Sequence, residues 1–473
     1  MPELSLAEIA AAVSGTVGPE GPRRAERDSA RRSFSDFQFD TRAVKPGSLF
    51  FAMRTAKGDG HDHVRALAAV PGCAAVVCRD FVARGTRLPL LRVDDPLRAA
   101  QDLAAHVREK YRAAKYIGIT GSAGKTTTKE FLHRILAGKF RSFRSPQNWN
   151  NWIGLPFSLL RLSGREEAAV FELAMSDPGI GEIDRLAGIL KPDVAVLLNV
   201  FPVHLQFLRT VANAARAKAE ILGHLAADGC AIVNGDQPHL RRAVRRCRGQ
   251  IIFFGSRARD NDVVLQRVIR EGNGSRLRIA FFGIEEEFFA PLVSRTQVEN
   301  LFAAILAARQ LGMKSFEIQD ALAGLDAMAG RGQVRRHGRF VIIDETYNSN
   351  PEALLRTLQW VDREYRRGKT AVLGDMLELG RGELAYHRQA GRFFAGLHFE
   401  RLLTVGERAA AIAAAARGAG YPARRIHCFA GAAEAGGFLR RELQADSGPE
   451  AVILFKGSRG VALEKAVAEF IHG

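Results

Sequence analysis

The residues best suited to chemistry lie between Lys115 and Phe131, KYIGITGSAGKTTTKEF. Gly121, Ser122, Ala123 and Gly124 make a small-residue turn that runs into Lys125, Thr126, Thr127 and Thr128. Glycines let backbone N–H groups approach an anion, and a helix N-terminus adds positive potential there. A lysine in this place reaches the outer phosphates of a nucleotide, and the next hydroxyl, Thr126, suits Mg²⁺. The common nucleotide loop also carries a glycine five places before Gly124, where this chain has Ile119. The plain alternative is a Gly-rich strand–helix turn, which leaves two glycines and a lysine at this spacing to coincidence.

The elements around the loop must place it at a sheet edge. Tyr116 to Thr120 reads as a strand, and Phe131, Leu132 and Ile135 share one face of a following helix. Ala168 to Phe171 is a short apolar strand ending in Glu172, and Asp193 to Val200 is another, followed shortly by His204. A helix over 214–225 carries Lys218, and a further strand covers Ala231 to Val233. This alternation over 114–326 predicts an α/β domain with an open parallel sheet and ligands gathered at strand C-termini. Glu172 and His204 then stand where Mg²⁺ bound to ATP would lie. Taken alone, Glu172 also reads as a cap or surface acid, His204 as a hydrogen-bonded structural histidine, and Lys218 as a solvated helix lysine.

Residues 1–113 read as a small α/β unit, with a helix over 4–13 and buried strands at 49–53 and 74–78. Between these strands, Asp59, His61, Asp62 and His63 suggest a metal site, but Asp62 as the cap of a helix starting there is the better reading. Glycines between 324 and 332 mark a second boundary. Residues 327–473 repeat the alternation, with strands expected at 340–344, 370–374, 401–405 and 451–455.

Composition sets limits. The 473 residues exceed one core and suggest about three domains. No apolar run approaches the ~18 residues of a membrane span. The start, MPELSLAEIAAAV, lacks a basic stretch before an apolar one, so no secretory signal is expected. Five scattered cysteines without paired spacing point to a reducing, cytoplasmic setting. The net charge of +17 suggests anionic partners or solubility. The basic residues are spread out and do not interleave with aromatics, so the solubility reading is favoured, with nucleotide substrates as a secondary cause and no nucleic acid. A monomer is the default.

Separated motifs then resemble one family along the whole chain. They are DTRAVKPGSLFFAM at 40–53, DGHDH at 59–63, the T-G-x-x-G-K-T loop at 120–126 and NWNNWIGLP at 148–156. Glu172 before GEI at 181–183, the His204 to Lys218 spacing, DETYNSNPEAL at 344–354, LGDMLELG at 373–380 and KGSRG at 456–460 continue the series. The chain resembles the Mur ligases, ATP-dependent amide-forming enzymes of peptidoglycan synthesis, whose loop form accounts for Ile119.

The resemblance implies three domains: a UDP-sugar-binding domain (1–113), a P-loop ATPase domain (114–326) and a Rossmann-like lid (327–473). It implies ATP and Mg²⁺ as cofactors. The last three motifs and the NNxIGxP string imply substrates UDP-N-acetylmuramoyl-tripeptide and D-alanyl-D-alanine, joined through an acyl phosphate. It carries Lys125, Lys218 and His204 over as catalytic. Thr126, Glu172, His204 and a carbamylated Lys218 become the metal set. Gly121 to Thr127, Gln297, Asn300, Arg331, Asp344, Tyr347 and Asn348 become ATP contacts. Asp40, Thr41, Arg42, Asn150, Asn151 and Lys456 become substrate contacts. Three positions depart from the family: Thr296-Gln297 replaces a usual His-Asn, Gln206 replaces a Glu, and the stretch from Glu172 to GEI is longer by about two residues. Competing readings are a Mur-type ligase for another amino acid, and a P-loop ATPase without ligation.

Overall fold

Successive residues of a strand point to opposite faces, and the segment before the loop uses this fully. Tyr116 joins the core on one side of its sheet, while Ile117 and Ile119 join the core on the other. Such two-sided burial calls for helices on both faces. The helices Lys125–Leu136 and Arg295–Gln310 cover one face, and Glu182–Leu190 with Val211–Ala219 cover the other. The computed structural model describes residues 2–472 apart from 18–31, 56–57, 83–87, 176–180, 202–207, 209, 245–246, 248, 258 and 445–449.

The loop strand, Lys115–Thr120, lies between Ala168–Glu172 and Val194–Leu197 and runs parallel to both. Its sheet has nine strands, continuing through Cys230–Asn234, Gln250–Gly255, Val263–Glu271, Gly274–Phe281 and Ile284–Ala290, with Ser142–Arg144 at the other edge. The last three strands form an antiparallel meander, which corrects the expectation of a purely parallel sheet. Phe282 and Gly283 both have positive φ, the condition of a tight two-residue hairpin turn, so the chain turns straight back without a crossover helix.

A five-stranded sheet precedes it, in the order Thr16–Val17, Leu90–Val93, Ala74–Cys78, Ser48–Phe51, Asp36–Gln38. The expected helix between its strands is instead two short 3₁₀ turns, Gly60–His63 and Ala66–Ala69. Asp59, not Asp62, caps the first. Buried His61 is a structural group here, because its Nε2 accepts the Cys78 N–H at 3.0 Å and its Nδ1 faces Asp59. This sheet shares its core with the central one: Phe39 and Phe51 both pack on Phe157, with ring centroids 4.7 and 5.4 Å away.

A third sheet of six strands follows, ordered Gln333–His337, Phe340–Glu345, Ala451–Lys456, Lys369–Gly374, Arg401–Val405, Ile426–Phe429. The final strand of the chain therefore sits inside this sheet, paired in parallel on both sides. Four of its strands match the expected positions within a residue.

Candidate active site

The loop after Thr120 is shaped by one left-handed residue. Gly124 caps the loop helix at φ 82°, and a Cβ there would lie 2.1 Å from Asn300 Oδ1. Only glycine fits such a place. The neighbouring strand clamps the loop: Ala123 N–H donates to Asn199 Oδ1 at 2.8 Å, and Asn199 Nδ2 donates to the Ala123 carbonyl at 3.0 Å. Lys125 Nζ lies over the turn, donating to the Gly121 carbonyl at 3.0 Å. Burial pushes its pKa below the ordinary lysine value, and the Glu172 charge opposes that.

Parallel pairing sets Ile119 beside Glu172, which brings the carboxylate to the loop. Thr126 Oγ1 donates to Glu172 Oε2 at 2.7 Å, and Asn150 Nδ2 donates to Oε1 at 2.7 Å. Glu172 is buried, and its two oxygens are held by these two groups. Asn151 does local work: its Oδ1 accepts the N–H groups of Ile153 and Gly154 and starts the helix Gly154–Leu159.

The third sheet supplies the opposite wall. Arg331 stacks on Tyr347, its guanidinium 3.6 Å from the ring centroid. Burial lowers its pKa, against the pull of Tyr347 and Glu172. Lys456 Nζ donates to Glu345 Oε2 at 2.8 Å and to the Asn348 carbonyl at 3.3 Å. These groups enclose a cavity of about 640 Å³ with Ser122 to Thr127, Asn150, Glu172 and Asn300.

The other described sequence candidates, Asp40 to Arg42, Gly121, Asn151, Lys218, Gln297 and Asp344, are not among the residues that line that cavity. Gln297 is buried behind it and donates from Nε2 to the Arg331 carbonyl at 2.9 Å. Asp344 is buried and accepts from the Thr346 hydroxyl at 2.7 Å. Asp40 caps the turn Thr41–Ala43, and its ion pair with Arg42 holds its carboxyl down at about 2. Phe39, next to Asp40, packs on Trp149 at 5.7 Å, so this segment adjoins the Asn-rich loop. Lys218 is buried on Val211–Ala219, and burial, then the Lys125 charge, pulls its pKa down to about 7. His204 and Gln206 lie outside the described residues. The sequence reading missed Asn199 and Glu378 as cavity groups, whereas Glu345 falls in the 344–350 segment that it sets against ATP. Position at the end of the strand beside the loop was the available signal for Asn199.

With a phosphate-type loop facing a second sheet, the comparisons become decisive. The description "Mur ligase middle domain" matches residues 119–308, and "Mur ligase, glutamate ligase domain" matches 330–459. The UDP-N-acetylmuramoyl-tripeptide–D-alanyl-D-alanine ligase of Bacillus subtilis (strain 168) is 34% identical over 437 residues, 92% of each chain. The chain belongs to the Mur ligase family. The Escherichia coli (strain K12) enzyme of the same name is 30% identical over 90% of this chain and 92% of its own. The crystal structure of MurF from Acinetobacter baumannii superposes with a TM-score of 0.88 at 28% identity, covering 100% of both chains. MurF ligase from Thermotoga maritima in complex with ADP gives 0.80 at 28% identity, over 92% of this chain and 96% of that one. No helix among the described residues is long and apolar enough to cross a membrane.

Proposed function

We propose that this chain is an ATP-dependent, ADP-forming ligase that joins D-alanyl-D-alanine to UDP-N-acetylmuramoyl-tripeptide. The observation that carries the reading is the single cavity between two sheets, which unites Lys125 and Thr126 with Arg331, Tyr347, Asn348 and Lys456. A pure ATPase leaves the Asn-rich wall and the 344–350 and 456–460 segments without a task. The full-length likeness to ligases of this substrate class supports the same conclusion.

The domains are assigned as 1–113, 114–326 and 327–473, in keeping with the extents of the three sheets. ATP phosphorylates the terminal carboxylate of the tripeptide, and the amine of the dipeptide attacks the acyl phosphate and displaces phosphate. Lys125 and Arg331 are two desolvated cations in one cavity, and a polyphosphate between them offsets their repulsion. The second wall keeps water from the acyl phosphate.

Mg²⁺ fits the residues present, because Thr126 and Glu172 offer oxygen donors 2.7 Å apart beside the loop lysine. Thr126 and Glu172 would hold it, with His204 and a carbamylated Lys218 as further groups. When bound, it would neutralise phosphate charge. Lys218 suits carbamylation because an amine lowered to about 7 is substantially neutral at pH 7. Cytoplasmic location agrees with five free cysteines.

The test is phosphate release with UDP-N-acetylmuramoyl-tripeptide, with and without D-alanyl-D-alanine. Release and ligated product that require the dipeptide support the reading, and Lys125→Ala should abolish both while the fold persists. Release indifferent to both substrates overturns it.

A further inference from the structure

We propose that Glu378 is the anchoring carboxylate for the ammonium group of the incoming acceptor, a reading that rests on the ligase function above. Glu378 lines the cavity from the same sheet as Asn348 and Lys456. Its backbone lies at φ 64°, in the left-handed region that favours glycine.

This conformation is imposed by its neighbours. Met376 N–H donates to Nε2 of His387 at 3.0 Å, and Leu377 N–H donates to Ser458 Oγ at 3.0 Å. Ser458 N–H in turn donates to the Asp375 carbonyl at 3.0 Å. His387 is fully buried, and its Nδ1 pairs with the Glu383 carbonyl at 2.6 Å, which leaves Nε2 to accept. These bonds pin the three residues before Glu378, not Glu378 itself, and a strained residue kept at the cavity wall points to a use for its side chain.

Charge narrows that use. The other cavity acids are matched: Glu172 to Thr126 and Asn150, Glu345 to Lys456, and Glu299 to Arg295 and Arg356. Among the described residues Glu378 has no hydrogen-bond or ion-pair partner, and it acts on Lys125 only through its field. An unmatched carboxylate beside a phosphate site repels ATP, so it is tolerated only where a cation arrives during the cycle. The acceptor amine brings that cation. Mg²⁺ also arrives in this cavity, but Thr126 and Glu172 are the oxygens set together for it; Glu378, on the loop after Lys369–Gly374, bonds to neither, which leaves it for the ammonium.

Glu378→Gln keeps the shape and the backbone demand and removes the charge. Loss of a charge-assisted bond should raise the KM for D-alanyl-D-alanine about 10- to 100-fold. The KM for ATP should fall or hold level, since a repelling charge is removed, and the KM for the UDP-tripeptide and the Mg²⁺ dependence should stay within about twofold. Glu378→Gly should show the same acceptor defect yet melt no lower than wild type, since glycine suits the φ. N-propionyl-D-alanine, which lacks the ammonium, should inhibit wild type and Glu378→Gln equally. An unchanged acceptor KM in Glu378→Gln overturns the proposal, and so does an ATP or Mg²⁺ requirement that rises in step with it. A wild-type enzyme that forms no product from the dipeptide overturns the parent reading as well, which separates the two failures.

Discussion

Lys129 shows how much of a site rests on a residue that never enters it. Its side chain is fully buried, and Nζ donates to the Ser145 carbonyl at 2.7 Å and the Gln147 carbonyl at 2.6 Å, with Glu130 at 3.3 Å. It ties the loop helix to the turn that presents Asn148 and Asn150. Lys129→Met leaves two carbonyls unmatched, so urea unfolding should show a loss of about 2–3 kcal/mol and ligation should fall with it. A variant of wild-type stability would reject this role. On the same helix, burial pushes His133 down to about 4, aided by the Arg144 charge against Glu130, and its Nδ1 lies 3.0 Å from Ser142 Oγ. The folded pKa lies below the unfolded ~6.5, so the neutral ring stabilises the fold above pH 6.5 and that stability is lost as pH falls toward 4. After allowance for partial exposure, wild type should lose about 2 kcal/mol more than His133→Asn between pH 7 and 4.5 in urea titrations. Parallel losses would reject it. Lys125, Thr126 and Glu172 were legible because each sits at a fixed offset from a motif or a strand end. Lys129 and Asn199 were not, because what they bind is backbone carbonyl and amide far along the chain, which leaves no side-chain pattern to read.

Elements set how tightly these residues are held. The loop helix meets Arg295–Gln310 at Gly124, where Asn300 occupies the space a side chain would need. Gly124→Ala therefore meets both the positive φ and the contact, and should weaken ATP binding at least tenfold by calorimetry. Adding Asn300→Ala relieves only the contact, so the double variant should recover part of the loss. Full recovery would show that φ is immaterial. Apolar runs of five or six residues made the parallel strands easy to place, since burial on both faces leaves no alternation to confuse. The strands at 263–290 escaped because they mix charged and apolar residues, alternating in RLRI at 276–279, and their turns are local. Around His61 a helix was expected and two 3₁₀ turns formed, because Asp59 and His61 bond within the turn and to Cys78.

At the scale of the molecule the cavity exists only while two sheets face each other. Among the described residues, contacts across that gap include Gln297 to the Arg331 carbonyl, Thr296 to Glu345 at 3.3 Å, Arg356 to Glu299 at 3.5 Å and over the Phe201 ring, and Arg270 to Glu364 at 2.6 Å and over the Tyr365 ring. Arg270 stands on the meander strand Val263–Glu271 and does not line the cavity, so it serves as a reporter of closure. A half-exposed pair of this kind contributes about 0.5–1 kcal/mol. Arg270→Ala should raise the KM for ATP about two- to fivefold and increase the radius of gyration measured by X-ray scattering with nucleotide bound. Unchanged values would assign closure elsewhere. The order of strands in the third sheet has a consequence for synthesis. Ala451–Lys456 inserts between Phe340–Glu345 and Lys369–Gly374, both of which precede it by about 80 to 110 residues. A growing chain thus carries two unpaired strand edges until 451–456 has been made, and that stretch also delivers Lys456 to the cavity. A chain interrupted before residue 451 has two exposed strand edges and lacks Lys456, so such a fragment is expected to aggregate rather than to turn over ATP.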